Sequence, residues 1–358
     1  MARQFDVPGE VREVVPHGSG NINQTFLVSL QGGAQRHVIL QRMNATVFRR
    51  PDLVMRNIRV VTEHTQERLA AGPWLAGRWE MPRIVRTRDG GDFFTAPDGS
   101  AWRALSCVEN ARTVDTITGL DHAREVGRAL GTFHSLIADL PGDRLADTLP
   151  GFHVTPGYLR HYDEVVAEGG VARSPEIEHG LRFIAARRGW ASVLEDAREQ
   201  GRLHCRPIHG DPKVNNVMLD EATGRAVSLI DLDTVKPGLL HYDLGDCLRS
   251  CCNPAGEDAA RLADVRFEPD ICRAILQGYL PLAKGFLTDA DSAYLYDAVR
   301  LIAFELGLRF FTDHLAGDVY FRVRARGHNL ARAMVQFALT ESIEARAREI
   351  EMLVRELR

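Results

Sequence analysis

The hydrophobic pattern changes character about a third of the way along this 358-residue chain. Up to about residue 110 the apolar residues come in short runs separated by turn residues. Thr25-Phe26-Leu27-Val28-Ser29-Leu30 reads as a strand, and Gln31-Gly32-Gly33 breaks it. His37-Val38-Ile39-Leu40-Gln41 follows as its hairpin partner. A helix is predicted over about 51–71, opened by Pro51-Asp52 and closed by Ala71-Gly72-Pro73. Residues 82–86 and 102–108 read as two more strands. From about 115 onward apolar positions recur at three and four, as in Leu130, Phe133, His134 and Ile137, the period of a helix with one buried face. Helices are expected over about 119–139, 174–200, 240–252, 268–285, 289–315 and 328–357. One β-patterned island interrupts them. Asn216-Val217-Met218-Leu219 and Ala226-Val227-Ser228-Leu229-Ile230 flank a polar turn at 220–225, which reads as a hairpin.

The chemistry lies at the two ends of that hairpin. His209-Gly210-Asp211-Pro212-Lys213-Val214-Asn215-Asn216 leads in, and Ile230-Asp231-Leu232-Asp233 leads out. The hairpin brings Asp231 back beside Asp211. An aspartate, an asparagine five residues on and a second aspartate twenty residues on make a phosphoryl-transfer centre. Asp211 can orient and deprotonate a substrate hydroxyl. Asn216 and Asp231, with Asp233 as a further candidate, can hold Mg²⁺ on a nucleoside triphosphate. Lys213 lies where a cation reaches the migrating phosphoryl group. His-Gly-Asp alone reads equally well as a turn. The order, the spacing and the strand that ends at Asp231 favour the catalytic reading.

Other candidates follow from position. The loop Pro16-His17-Gly18-Ser19-Gly20-Asn21 precedes a strand, and its backbone N–H groups, around Gly18, Gly20 and Asn21, can cover phosphates. An ordinary hairpin loop has the same composition. No lysine follows Val38-Ile39-Leu40. Arg42 is either the phosphate cation or an exposed strand-end arginine. Glu63 and Glu67 on the following helix are candidate partners for such a cation, or solvated. Asp243 opens a helix, as its N-cap or as a support of the catalytic loop. Arg309 and Asp313 share a helix face and read as an ion pair, with Tyr320 packed in the loop beyond.

Composition narrows the classes. The chain is 45% hydrophobic and 26% charged, which supplies a sizeable core, and its length suggests two lobes. A net charge of −4 gives no drive toward nucleic acid or anionic membrane. The six cysteines contain no C-x-x-C pair and read as buried thiols of a reducing cytoplasm. The N-terminus carries no signal-peptide pattern, and no apolar run is long enough for a bilayer. Oligomeric state is left open.

The H-x-D-x-K-x-x-N spacing resembles the catalytic loop of eukaryotic-type kinases, and Gly210 after His209 resembles the small-molecule branch, the aminoglycoside phosphotransferases and choline kinases. Further segments resemble the N-acetylhexosamine 1-kinases of that superfamily. These are 18–28, Leu40-Gln41-Arg42-Met43-Asn44, 215–220, 230–238, Glu305-Leu306-Gly307-Leu308-Arg309-Phe310 and Gly317-Asp318-Val319-Tyr320-Phe321. That subgroup also tends to lack the strand lysine. His-Asn-Asp is expected there, so Gly210 leaves the exact sugar open. The resemblance implies a bilobal, protein-kinase-like α+β fold, with an antiparallel-sheet N-lobe at 1–110 and a mainly helical C-lobe at 111–358. It implies ATP and Mg²⁺ as cofactors and a small-molecule sugar acceptor. Asp211 would face the anomeric hydroxyl, with Arg309, Asp313 and Tyr320 around the sugar. An aminoglycoside, choline or homoserine kinase and a nucleotide-binding pseudokinase are the alternatives. A protein kinase is disfavoured, because D-F-G and A-P-E motifs are lacking.

Overall fold

The computed structural model describes residues 1–18, 22–33, 35–72, 77–169 and 173–357. Gly20 and Asn21, expected in the phosphate-covering loop, lie outside these residues.

The N-terminal region is an antiparallel sheet of six strands: β1 (Glu10–Pro16), β2 (Gln24–Gln31), β3 (His37–Arg42), β4 (Ile84–Val85), β5 (Phe94–Thr95) and β6 (Ala101–Ser106). The order is β1-β2-β3-β6-β4, with β5 also on β6. Side chains alternate between faces. Val28, Val38, Leu40 and Ala104 form an outer cluster with Phe5. Ala101 turns the other way, into the main core. The pattern did not single out β1, because Glu10, Arg12 and Glu13 interrupt its valines and five of its seven residues are exposed. Helix α1 (Pro51–Ala70) buries Val54, Met55, Ile58 and Val61 at helical spacing. Glu63 and Glu67 lie on its exposed side.

The rest of the chain is mainly helical: α2 (Leu120–Ile137), α3 (Thr155–Glu168), α4 (Pro175–Arg187), α5 (Val193–Glu199), α6 (Leu240–Cys251), α7 (Pro269–Ala283), α8 (Asp289–Ala293), α9 (Leu295–Leu315), α10 (His328–Ala345) and α11 (Ala347–Leu357). Three predicted helices prove to be broken. The 174–200 stretch is divided by a 3₁₀ turn at Arg188–Trp190, which contains Gly189. The 289–315 stretch breaks at Tyr294, and 328–357 breaks at Arg346. Helix α3 had not been expected. Pro156 in its first turn reads as a breaker, yet the N–H it lacks has no partner there anyway.

Two small sheets bracket the hairpin. β7 (Ala111–Arg112) pairs with β9 (Val217–Asp220), which pairs with β10 (Ala226–Leu229). β8 (Arg206–Ile208) pairs with β11 (Lys236–Gly238). The strand that enters His209 therefore lies beside the strand that leaves Thr234. The architecture is α+β, an antiparallel sheet followed by a mainly helical region, as the sequence pattern anticipates. All six thiols are free. Cys205 is exposed and Cys107 partly so, while Cys247, Cys251, Cys252 and Cys272 are buried as expected. Among the described residues no helix is long and apolar enough to cross a membrane.

Candidate active site

The loop after β8 is held from below by one carboxylate. Asp243, on α6, accepts the His209 N–H and the Gly210 N–H, both at 2.7 Å, and pairs with His134 at 2.8 Å. Asp243 thus supports the loop. His209 is buried, and burial lowers its pKa. Its Nε2–H donates to the Ile230 carbonyl, so Nδ1 accepts the Asp211 N–H. Gly210 has φ +89, and a Cβ there would sit 2.6 Å from the Thr234 carbonyl oxygen. Glycine is the residue this position admits, which explains its presence where asparagine is expected.

Asp211 follows directly on this held backbone. Its carboxylate pairs with Lys213 at 2.9 Å, and both side chains stay partly open to solvent. Burial raises the Asp211 pKa against the opposing pull of Lys213. Asp211 in turn raises that of Lys213. Asn216 donates from Nδ2 to the Asp211 carbonyl at 2.8 Å, which leaves its amide oxygen available. Asp231 caps the hairpin's far end in a left-handed conformation, φ +65. It is exposed, yet the surrounding protein, then Asp233 and Asp211, push its pKa up to about 7. The Asn216 oxygen and the Asp231 carboxylate are the hard donors that Mg²⁺ takes together with phosphate oxygens and water. Among the described residues no three His, Cys, Asp or Glu side chains group as a metal cage. Mg²⁺ on a nucleotide needs none.

Asp233 has a different setting from Asp231. It is 2% exposed and its two oxygens are taken, one by the Arg103 guanidinium and the other by Asn23 Nδ2 at 2.6 Å. It faces the sheet rather than the cleft. Arg42 also departs from its expected role. In the β3–β6 register Gln41 lies opposite Arg103 and Arg42 opposite Trp102. Arg42 therefore shares the outer face with Leu40 and pairs at 3.5 Å with exposed Asp98. The cation on the inner face is Arg103. Gly18, with φ +74, lies at the edge of the described part of the loop.

A cavity of about 680 Å³ opens among the start of α1, the loop around 147–152, α3, α9 and the loop beyond it. Arg309 and Tyr320, the residues expected around an acceptor, both line it. Asp313 lines it too, but does not pair with Arg309. Its carboxylate accepts the N–H groups of Val319, Tyr320 and Phe321 at 2.8–2.9 Å and the Asn329 amide at 2.8 Å. It organises the loop that carries Tyr320. The Arg309 guanidinium instead lies within 4.9–6.0 Å of the rings of Phe152, Tyr158, Tyr320 and Phe321. Two ties join this cavity to the catalytic segment. Lys236 on β11 bonds the Leu149 carbonyl and Asp147, both at 2.8 Å. His153 bonds the Gly210 carbonyl at 3.0 Å and Glu305 at 3.0 Å. Burial opposes charge on His153, but Glu305 and Asp246 outweigh it and its pKa is raised. The sequence reading missed Arg103, Phe152 and His153. A lone arginine on the inward face of an apolar strand was the available signal for Arg103.

An antiparallel sheet over a helical region, with a catalytic loop and hairpin at their junction, defines a kinase-like phosphotransferase. A profile of the phosphotransferase enzyme family (APH) matches residues 13–279, and the chain belongs to that family. Solved structures show the same fold. An aminoglycoside phosphotransferase from Alicyclobacillus acidocaldarius is 14% identical, with a TM-score of 0.58 over 99% of this chain and 95% of that one. A microcompartment-associated aminopropanol kinase is 17% identical, with a TM-score of 0.61 over 98% and 96%. A spectinomycin phosphotransferase in complex with ADP and spectinomycin is 12% identical, with a TM-score of 0.52 over 93% and 94%.

Proposed function

We propose that this protein transfers the γ-phosphoryl group of ATP to the anomeric hydroxyl of an N-acetylhexosamine. Residues 1–110 would form the nucleotide lobe and 111–358 the catalytic and acceptor lobe. Asp211 orients the sugar hydroxyl and accepts its proton late in a loose transition state. Lys213, now paired with Asp211, turns to the migrating phosphoryl group and leaves the carboxylate free for that proton. Asn216 and Asp231 hold Mg²⁺, which neutralises charge on the phosphates. Structurally similar enzymes use nucleotides and carry small acceptors, as the complex with ADP and spectinomycin illustrates.

The charge of the acceptor cavity carries the choice of acceptor. Its two lining carboxylates are committed, Asp147 to Lys236 and Asp313 to backbone N–H groups. Its aromatic rings, the usual attraction for a quaternary ammonium, already surround the Arg309 guanidinium. A cationic aminoalcohol or aminoglycoside therefore meets the Arg309 charge and, as its one exposed carboxylate, Asp147 already paired with Lys236, whereas a neutral sugar meets the Arg309 donors and ring faces.

The test is ³¹P NMR of the product formed from Mg-ATP with GlcNAc, GalNAc, glucose, kanamycin and choline. Phosphorus coupling to H1 of an N-acetylhexosamine is the expected signal. Phosphate on kanamycin or choline would overturn the sugar assignment and keep the catalytic centre. Nucleotide binding without transfer to any acceptor would favour a regulatory pseudokinase.

A further inference from the structure

The inner face of the sheet carries a continuous chain of polar contacts. Gln41 donates to the Thr25 hydroxyl at 3.0 Å and accepts from Arg103 Nε at 2.9 Å. Arg103 pairs with Asp233, and Asp233 accepts from Asn23 at 2.6 Å. Asn23 in turn accepts the Asn44 N–H at 3.0 Å. This chain of contacts joins β2, β3 and β6 to the turn that begins at Asp231. Arg103 is 1% exposed and Asp233 2%. A buried pair so placed is held with little freedom, because either charge alone is costly there.

Three observations bear on its role. The strand position that supplies a lysine in protein kinases holds Gln41, whose side chain hands on to Arg103. Helix α1 offers no glutamate toward this point, and Arg103 packs on Met55 of that helix instead. Asp233 lies two residues beyond Asp231 in the same 3₁₀ turn, so fixing one fixes the direction of the other. Asn23, bound to the same carboxylate, lies just beyond the loop expected to cover the phosphates.

We propose that Arg103, acting through Asp233, is the positioning cation of the nucleotide site, tying the sheet and Asn23 to the Mg²⁺-binding Asp231 from β6 rather than from β3. Arg103 is too buried to touch phosphate. Its effect is on where Asp231 stands, and this inference rests on the phosphoryl-transfer reading above.

The experiment measures Mg-ADP binding by calorimetry, with no acceptor present, and then steady-state kinetics. It uses the full chain, Arg103→Met, Arg103→Lys and Asn23→Ala. Supporting partners of metal ligands are typically worth about 10- to 100-fold. Arg103→Met is expected to weaken Mg-ADP binding and raise the KM for ATP by about that factor, with the acceptor KM unchanged. Arg103→Lys recovers part of the loss because it restores the charge. Asn23→Ala, which leaves the buried ion pair intact, gives a smaller loss of the same kind and serves where Arg103→Met fails to fold. A folded Arg103→Met protein with nucleotide binding within twofold of wild type overturns the proposal, as does an unchanged Asn23→Ala protein where Arg103→Met does not fold. Wild-type protein that binds no Mg-nucleotide overturns the phosphoryl-transfer reading itself, a result separate from either.

Discussion

Asp243 carries three hydrogen bonds, two from the 209–210 backbone and one to His134 on α2, and it is fully buried. Its replacement by alanine strands the N–H groups of His209 and Gly210, at about 1–3 kcal/mol each. Asp243→Ala is expected to lower the urea midpoint accordingly and to cost turnover as well. Asp211→Asn should leave stability unchanged and lower kcat by about 10³-fold or more, since orientation and proton acceptance both sit there. His153 gives a pH dependence with a definite sign. Its folded pKa is raised above the ordinary value of about 6.5. The stabilisation is therefore complete below about pH 6.5 and is lost as pH rises through the higher folded value. Glu305 and Asp246 favour the charge, while Arg309 and burial oppose it. Asp231 shifts stability in the same direction, so the wild-type curve is compared with that of His153→Gln. The gap between their denaturation midpoints should narrow as pH rises. At this scale the sequence made the proposed catalytic segment legible because its order and spacing are local. It did not disclose Asp233's engagement or His153, whose partners Arg103, Glu305 and Gly210 lie 130, 152 and 57 positions away.

Among the elements, helix pairing shows where pattern and packing part. Periodicity located α2 and α7 well, because each buries one apolar face. It is silent on how closely they approach. A Cβ at Gly127 would lie 1.9 Å from the Ile275 carbonyl oxygen, and one at Gly278 would lie 2.0 Å from the Arg124 carbonyl oxygen. Each glycine therefore receives the other helix's backbone. In an exposed helix Gly→Ala stabilises by about 1 kcal/mol. Here Gly127→Ala must push α2 from α7, and overpacking of this kind costs about 1–3 kcal/mol or more. A lowered melting temperature is the expected outcome, and a raised one would show that the helices separate freely. The broken helices have a related cause. Tyr294 and Arg346 interrupt the helix axis without interrupting the apolar period, so the breaks leave no mark in the pattern.

Across the whole molecule, the proposed nucleotide and acceptor sites fall on different supports that meet at the 209–216 loop. The change from strand-like runs to helical period near residue 110 made this two-part α+β organisation legible. Of the cavity proposed for the acceptor, the resemblance supplied Arg309, Asp313 and Tyr320 but not the rest, because it draws on α1, the loop around 147–152, α3 and α9, which only the fold brings together. Separate supports predict separable defects. Asp313 holds three successive backbone N–H groups of the loop that carries Tyr320, and it makes no contact with the catalytic aspartates. Asp313→Ala frees that loop and lets the rings around Arg309 drift. Misplacement of a positioning wall by about 1 Å can cost as much as 10²-fold. The expected result is an acceptor KM raised by at least about tenfold with Mg-ADP affinity within twofold of wild type. Arg103→Met should show the opposite split. A double variant should combine both losses additively, since sites without shared partners do so. If Asp313→Ala instead weakened nucleotide binding as much as acceptor binding, the two sites would share a support that these contacts do not contain.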